Sequence, residues 1–284
     1  MISIWDSRGR YLSSFGRAGE GPGELSARGA LSLFIDGKDN LHVRDGAQRW
    51  SVFSPEQEFL RRVPANHMGG LPRTTIILDD GSAVASDGLL GRDRGHYFRM
   101  ADSTGALLRT FGPVKPGSTG TGRRPITYAG GETFWAGPAE EGTDAYVLEE
   151  WGVAGELRRS LRRDVPWYKS TGNRETSPAV RQLHISQSGL LYVMVVRPTD
   201  DYARALRSGE RVSREQRDLL TEVVLEVIDT RSGEMLASDV YPASRARELF
   251  PRGLFRGSLV GYRYAENEGH LPFVEIIEVE LVTR

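Results

Sequence analysis

Cysteine is absent from the 284-residue sequence. The protein therefore has no disulfide, no thiolate ligand for a metal and no thiol nucleophile. This absence leaves the cellular compartment open, because exported and cytoplasmic proteins both include chains without cysteine. We expect an extracytoplasmic protein if an export signal precedes this sequence, and a cytoplasmic protein otherwise.

Long apolar runs are also absent, and none approaches the roughly 18 consecutive apolar residues of a transmembrane helix. We therefore expect no membrane span. The five histidines are scattered, with no HxxxH or HxH pair, so their spacing predicts no zinc site. No G-x-S-x-G nucleophile elbow occurs, and the neighbouring carboxylates Asp79 and Asp80 would point in different directions from a strand or turn. We accordingly assign no catalytic residue and no metal ligand.

An excess of charge of either sign is missing too. The chain has 37 basic and 38 acidic residues and a pI near 6.6, so non-specific binding to nucleic acid is not expected. Only three of the basic residues are lysines, and arginine supplies the rest. The basic run Arg158, Arg159, Arg162 and Arg163 is flanked by acidic residues and is interpreted as a solvent-exposed strand edge.

The most distinctive segment present is a glycine-rich loop, SFGRAGEGPGEL, from Ser14 to Leu25. Its four glycines and one proline indicate turns that residues with a Cβ would resist. A phosphate-binding loop is one interpretation, but neither GxGxxG nor GxxxxGK[ST] is present and the next residues alternate like strands. A structural connection between repeats is the favoured interpretation.

The stretch before this loop recurs along the chain as a short apolar strand, a polar turn and a second short strand. The turn residues Gly9, Gln57, Gly105 and Gly155 lie 48, 48 and 50 residues apart. Inner hairpins with tight turns at 36–40, 79–81, 130–132 and 186–189 alternate with these outer hairpins. Two hairpins give four strands per repeat, which is typical of β-propeller blades.

The segments FGRAGEGPGEL and FIDGKDNLHVRDGAQRWSVFSPEQEFL resemble the NHL-type repeat of six-bladed β-propellers. Asp45 and Arg49 match the Asp and Arg of that repeat. The resemblance is specific from Ile4 to Leu60 and visible to about Gly112. It implies a six-bladed propeller in which Asp45 and Arg49 have structural roles.

The predicted fold is therefore all-β: a β-propeller, six-bladed with the first blade incomplete, and one short helical insertion. A capping-box spacing and a run of helix formers predict the helix near Arg214 to Thr221. We interpret residues 1–284 as a single propeller domain. Its predicted parts are an outer half-blade at 1–17 and successive blades at 26–64, 71–113, 124–164, 179–241 and 250–284.

The sequence enters an outer hairpin directly after Met1, with no inner hairpin before it. Two explanations stay open. The native gene encodes an upstream inner hairpin and an export signal, or the C-terminal segment supplies the inner strands and closes the ring. The genomic sequence upstream of Met1 would distinguish them.

The preferred functional hypothesis is a non-enzymatic, monomeric binding or scaffold protein without a cofactor. It would recognise a protein partner or a small anionic ligand on one propeller face. Resemblance to six-bladed, lactonase-like propellers implies an alternative, a metal-assisted hydrolase that would use Ca²⁺. A third hypothesis is a passive scaffold.

Arginines recur where the chain enters the first strand of each repeat, at the expected mouth of a propeller channel. Guanidinium groups bind carboxylates and phosphates through paired hydrogen bonds. Because arginine is abundant here, outward-pointing or ion-paired arginines are the alternative. The candidate ligand-binding residues are Arg28, Arg73, Arg124, Arg181 and Arg256, with Arg252 as an alternative to the last.

A second candidate is a binding lip formed by Trp167 and Tyr168, two adjacent aromatic residues in a proline-flanked loop. Packing of this pair against a neighbouring blade is the alternative interpretation.

Overall fold

The computed structural model describes residues 1–6, 8–46, 49–64, 74–86, 95–114, 123–128, 130–139, 145–169, 177–209, 213, 220–241, 250–255, 258–263 and 273–278. Strands dominate these residues, which confirms the all-β prediction. None of their helices is long and apolar enough to cross a membrane. The chain divides into two compact units. Unit 1 comprises Met1–Lys115, Gly130–Glu132 and Val153–Glu156, and unit 2 comprises Pro116–Ala129, Thr133–Gly152 and Leu157–Arg284.

The described residues of unit 1 form three antiparallel sheets, each with its strands in chain order. The first sheet has two strands, β1 (Ile2–Trp5) and β2 (Tyr11–Phe15). The second has β3 (Ala30–Ile35), β4 (Leu41–Asp45), β5 (Arg49–Phe53) and β6 (Phe59–Pro64). The third has β7 (Thr75–Ile77), β8 (Ala83–Ala85), β9 (His96–Ala101) and β10 (Leu107–Pro113).

The described part of unit 2 also forms three antiparallel sheets. The first has β11 (Ile126–Thr127), β12 (Thr133–Ala136), β13 (Tyr146–Gly152) and β14 (Leu157–Arg163). The second has β15 (Ala179–Ile185), β16 (Leu190–Pro198), β17 (Thr221–Asp229) and β18 (Met235–Tyr241). The third has β19 (Phe250–Phe255), β20 (Ser258–Arg263) and β21 (Phe273–Glu278).

Four of these sheets are four-stranded meanders of the kind that form propeller blades. The part of the chain that the structure describes therefore shows four blades, and the prediction of six is wrong. The repeat pattern identifies individual hairpins, whereas a complete blade requires two hairpins that pair in the same sheet. The β1–β2 sheet has a single hairpin, and the β19–β21 sheet has three strands among the residues that the structure describes.

The predicted helical insertion contains one helix among the described residues. It is α1 (Asp200–Arg207), which follows β16 and begins with two acidic residues that suit the positive end of a helix dipole. Thr221, the predicted end of the helix, is the first residue of β17. Residues 214–219 lie outside the described residues.

The sheets of each unit pack face to face. In unit 1, Trp50 and Val52 of β5 form a buried cluster with Ile77, Ala83 and Ala101 of the next sheet. In unit 2, β13, β15, β16 and β17 supply most of a larger buried cluster. Because alternate residues of a strand face opposite sides, each sheet can contribute apolar side chains to the interface on either side.

The glycine-rich loop is structural. Asp45 is fully buried, and its Oδ2 accepts hydrogen bonds from the Ser26 amide at 2.9 Å and from the Arg49 Nε at 2.8 Å. Arg62 donates to the carbonyl oxygens of Glu20, Gly21 and Glu24. Arg49 also donates to the Gly19 carbonyl oxygen at 3.2 Å, so two arginines hold the loop against β5 and β6, in agreement with the structural interpretation.

A shift in register recurs in the last strand of five sheets. At each shift the pairing skips the second residue of that strand, as in a β-bulge. These residues are Leu12, Leu60, Leu108, Arg158 and Leu236, and all five are exposed. A bulge on an outer strand interrupts the edge and so hinders pairing with another chain.

Candidate functional site

The first strands of the three sheets in unit 2 lie side by side, with β15 between β11 and β19. The amide of Ile185 in β15 donates to the Thr127 Oγ1 of β11 at 3.2 Å. Three of the arginines noted in the sequence lie at the entrances to these strands: Arg124, Arg181 and Arg252.

Arg181 and Arg252 occupy the same register position in their strands. In β15 the register with β16 passes from Val180 to Gln182, so the pairing skips Arg181. In β19 the pairing passes from Pro251 to Gly253, and Arg252 is skipped in the same way. Such irregularities in strand pairing are common beside binding sites.

Arg124, two residues before β11, is buried and paired. Its Nη1 lies 2.6 Å from the Glu149 Oε2, and its Nε donates to the Gly137 carbonyl oxygen at 2.6 Å. Its charge is therefore balanced by a carboxylate of β13.

The other predicted arginines fall elsewhere. Arg28 is an exposed residue of unit 1, and its side chain crowds Gly46, where an added Cβ would lie 2.4 Å from the Arg28 Cβ. Arg73 and Arg256 lie outside the described residues.

The two aromatic residues of the predicted lip differ in burial. Tyr168 is buried, and its ring stacks on that of Tyr146 with centroids 4.8 Å apart. Trp167 is half-buried, and the Arg197 guanidinium lies 5.3 Å from its ring centroid, a cation–π contact. Arg197 also forms an ion pair with Glu222 at 2.9 Å.

A buried polar cluster beneath this pair was missed by the sequence analysis. Glu226 of β17 is buried and accepts hydrogen bonds from the Tyr146 hydroxyl at 2.6 Å and from the Arg163 Nη2 at 2.9 Å. Burial, followed by the nearby Glu226 charge, raises the pKa of Tyr146 well above its ordinary value. The sequence did offer one sign of this cluster, because Glu226 is an acidic residue in the middle of a nine-residue apolar strand, TEVVLEVID.

This cluster also corrects the interpretation of the basic run in β14. Arg162 is exposed, as predicted. Arg163 turns inward to Glu226, and Arg159 pairs with Glu150 and lies over the Trp135 ring at 5.1 Å. Because side chains alternate along a strand, the adjacent residues Arg162 and Arg163 lie on opposite faces of the sheet.

In unit 1, His42 is a buried, hydrogen-bonded histidine. Its Nε2 lies 2.9 Å from the Asp36 Oδ2. Among the described residues no group of three or more His, Asp or Glu side chains is arranged to hold a metal ion.

The sheets described above define the class of the protein: an all-β chain built from propeller-like blades. No protein-family model and no curated protein matches the sequence. Among solved structures, the chain is similar to the crystal structure of a putative exported protein from Bacteroides fragilis NCTC 9343. The TM-score is 0.54 and the sequence identity 13%, over 92% of this chain and 73% of that chain. At this identity the similarity is one of fold alone.

Proposed function

We propose that this chain is a non-enzymatic binding protein with NHL-type propeller repeats, and that it binds a small anionic ligand at the entrances to β15 and β19. The observation that carries this proposal is the shared register position of Arg181 and Arg252 on two adjacent first strands. The buried Asp45–Arg49 contact, which matches the repeat's Asp and Arg, supports the family.

The chemistry of arginine determines the ligand class. A guanidinium is planar and permanently charged, and it can donate two parallel hydrogen bonds to a carboxylate or a phosphate. Two such groups on neighbouring strands fit a ligand with at least two anionic oxygens, such as a dicarboxylate or a sugar acid. Arg124 has a supporting role, because its pairing with Glu149 fixes the third entrance.

The similarity to a putative exported protein supports an extracytoplasmic location. A ligand captured there would be a small solute or an acidic group of a larger partner.

The test is a thermal-shift titration with citrate and sulfate of the wild type, an Arg181→Ala/Arg252→Ala double variant, and Arg162→Ala. Arg162 is the matched control because it is an exposed arginine on the outer strand β14 of the same unit. We expect citrate to raise the Tm of the wild type and of Arg162→Ala, less so at high salt because screening weakens charge pairing. The double variant should lose the citrate-dependent shift, whatever its own Tm.

An equal citrate shift in the double variant would overturn the proposal. Calcium serves as a separate arm of the experiment. A rise in Tm with calcium alone, abolished by a chelator, would favour the metal-assisted hydrolase instead.

A further inference from the structure

The two-stranded sheet of unit 1 corresponds to the outer half of a blade. The register shift between Ile4 and Trp5, which skips Leu12, matches the shift between Val52 and Phe53, which skips Leu60. By this alignment β1 is equivalent to β5. One edge of β5 pairs with β4, but β1 pairs only with β2 among the described residues. The equivalent edge of β1 therefore offers backbone groups for a further strand.

The neighbouring sheet has an apolar face beside this edge. Ile35, at the end of β3, is 60% exposed, whereas Ile77, at the equivalent position before the inner turn of the next sheet, is 5% exposed. Leu33 is 47% exposed, and its equivalent Leu183 is 4% exposed. The same register positions are thus covered in complete blades and open here.

This open face continues an interface that already exists. Ile2 of β1 forms a buried cluster with Leu25, Val43 and Phe53, against which Leu41 packs. Leu41 pairs with Ile35 and Val43 pairs with Leu33 across β3 and β4. The two exposed side chains are therefore next to the buried contact between β1 and the β3–β6 sheet.

We propose that this part of unit 1 is a docking site for a β-hairpin of a partner protein: a two-stranded segment that pairs with the edge of β1 opposite β2 and covers Leu33 and Ile35. In the β3–β6 sheet, Phe34 packs against Trp50 and the cluster shared with the next sheet. The docked hairpin carries an aromatic or aliphatic residue at the position equivalent to Phe34. This is β-strand addition, in which main-chain hydrogen bonds give affinity and side-chain packing gives specificity. It goes beyond the anion-binding function and involves no residue of that site.

The chain itself supplies the probe. A copy of residues 30–48, fused directly before Met1, reproduces the connection by which β3 and β4 lead into β5. His42 and Arg44 of β4 pair with Val52 and Trp50, so the copied strand would pair with Ile4 and Ile2. We expect the fusion to raise Tm by about 5 °C or more, because it removes two aliphatic side chains from water.

Two matched controls isolate docking. The same fusion with Phe34→Asp in the added copy, and the intact fusion with Ile35→Lys in the acceptor, should both lose the increase. Ile35→Lys alone should fold normally, since the position is largely exposed in the unfused chain. A fusion no more stable than its Phe34→Asp control would overturn the proposal.

Light scattering of the unfused chain tests the other possible occupant, a second copy. We expect a monomer. A dimer that Ile35→Lys converts to a monomer would replace the hairpin with a second copy of this chain and would also overturn the proposal.

Discussion

In unit 2, two hydrogen-bond donors stabilise one buried carboxylate. Glu226 accepts one hydrogen bond from Tyr146 and one from Arg163, so its burial depends on both. We predict that Tyr146→Phe lowers the free energy of unfolding by about 1–3 kcal/mol, because one carboxylate oxygen loses its donor in a dry environment.

Urea denaturation measures this change. Tyr192→Phe is the control, since Tyr192 is also buried but its hydroxyl makes no hydrogen bond within the described part of the chain. Equal effects of the two substitutions would show that the Tyr146 hydroxyl contributes nothing specific.

The buried His42 gives the stability a dependence on pH. Burial lowers the pKa of His42 below its ordinary value of 6.5, although the hydrogen bond to Asp36 acts in the opposite direction and Arg61 adds to the lowering. The unfolded chain therefore binds more protons than the folded chain as pH falls below 6.5. The free energy of unfolding should accordingly fall as pH is lowered through that range.

Asp36 behaves differently. Burial alone would raise its pKa, but hydrogen bonds from His42, Asn40 and Lys38 outweigh burial and hold it below 3.8. Its contribution to stability is present above that value and is lost only as pH falls through its lower folded pKa.

We predict that His42→Gln, which retains a donor for Asp36, has a smaller loss of stability between about pH 7.5 and about pH 5.5 than the wild type. Some dependence should persist, because burial also lowers the pKa of His184. Denaturation curves with the same slope against pH for both proteins would contradict this account.

At the scale of elements, local chemistry determined what could be predicted. The inner turn at 36–40 is confirmed, because Asp36 accepts hydrogen bonds from the amides of Lys38 and Asn40 and closes the turn. Arg163 was assigned wrongly, because its partner Glu226 is 63 residues away and no local pattern connects them. The shifts at Arg181 and Arg252 depend on pairing between strands, so the sequence indicated the residues but not their shared register.

The glycine-rich loop provides a prediction at this scale. Asp45→Ala should lower the free energy of unfolding by about 3 kcal/mol, because Arg49 loses a buried partner and the Ser26 amide loses its acceptor. Glu20→Ala is the control, since Glu20 contacts the same arginine from an exposed position and should change stability by less than about 1 kcal/mol. Similar losses for both variants, measured by urea denaturation, would show that burial of Asp45 is not what holds the loop.

For the whole molecule, the strand alternation and the spacing of 48 residues were sufficient to predict an all-β chain of propeller-like sheets. They were insufficient to count blades, because a hairpin has the same pattern whether or not a second hairpin pairs with it. The β1–β2 hairpin illustrates this, since its register matches that of β5–β6 in a complete sheet. For the candidate site, the sequence indicated arginines near the entrances to strands, and their role as ligand-binding residues stays a prediction. Which of them are paired, as Arg124 is with Glu149, depends on contacts that no local pattern specifies.

The central claim is that Arg181 and Arg252 together bind an anionic ligand. Calorimetric titration of citrate at low salt into the Arg181→Ala/Arg252→Ala double variant, beside the wild type and Arg162→Ala, tests it most directly. We predict saturable binding to the wild type and to Arg162→Ala, and a loss of affinity of at least about tenfold in the double variant, since each charge-assisted hydrogen bond contributes about 1.5–3 kcal/mol. The same dissociation constant for all three proteins, or no binding to the wild type, would contradict the claim.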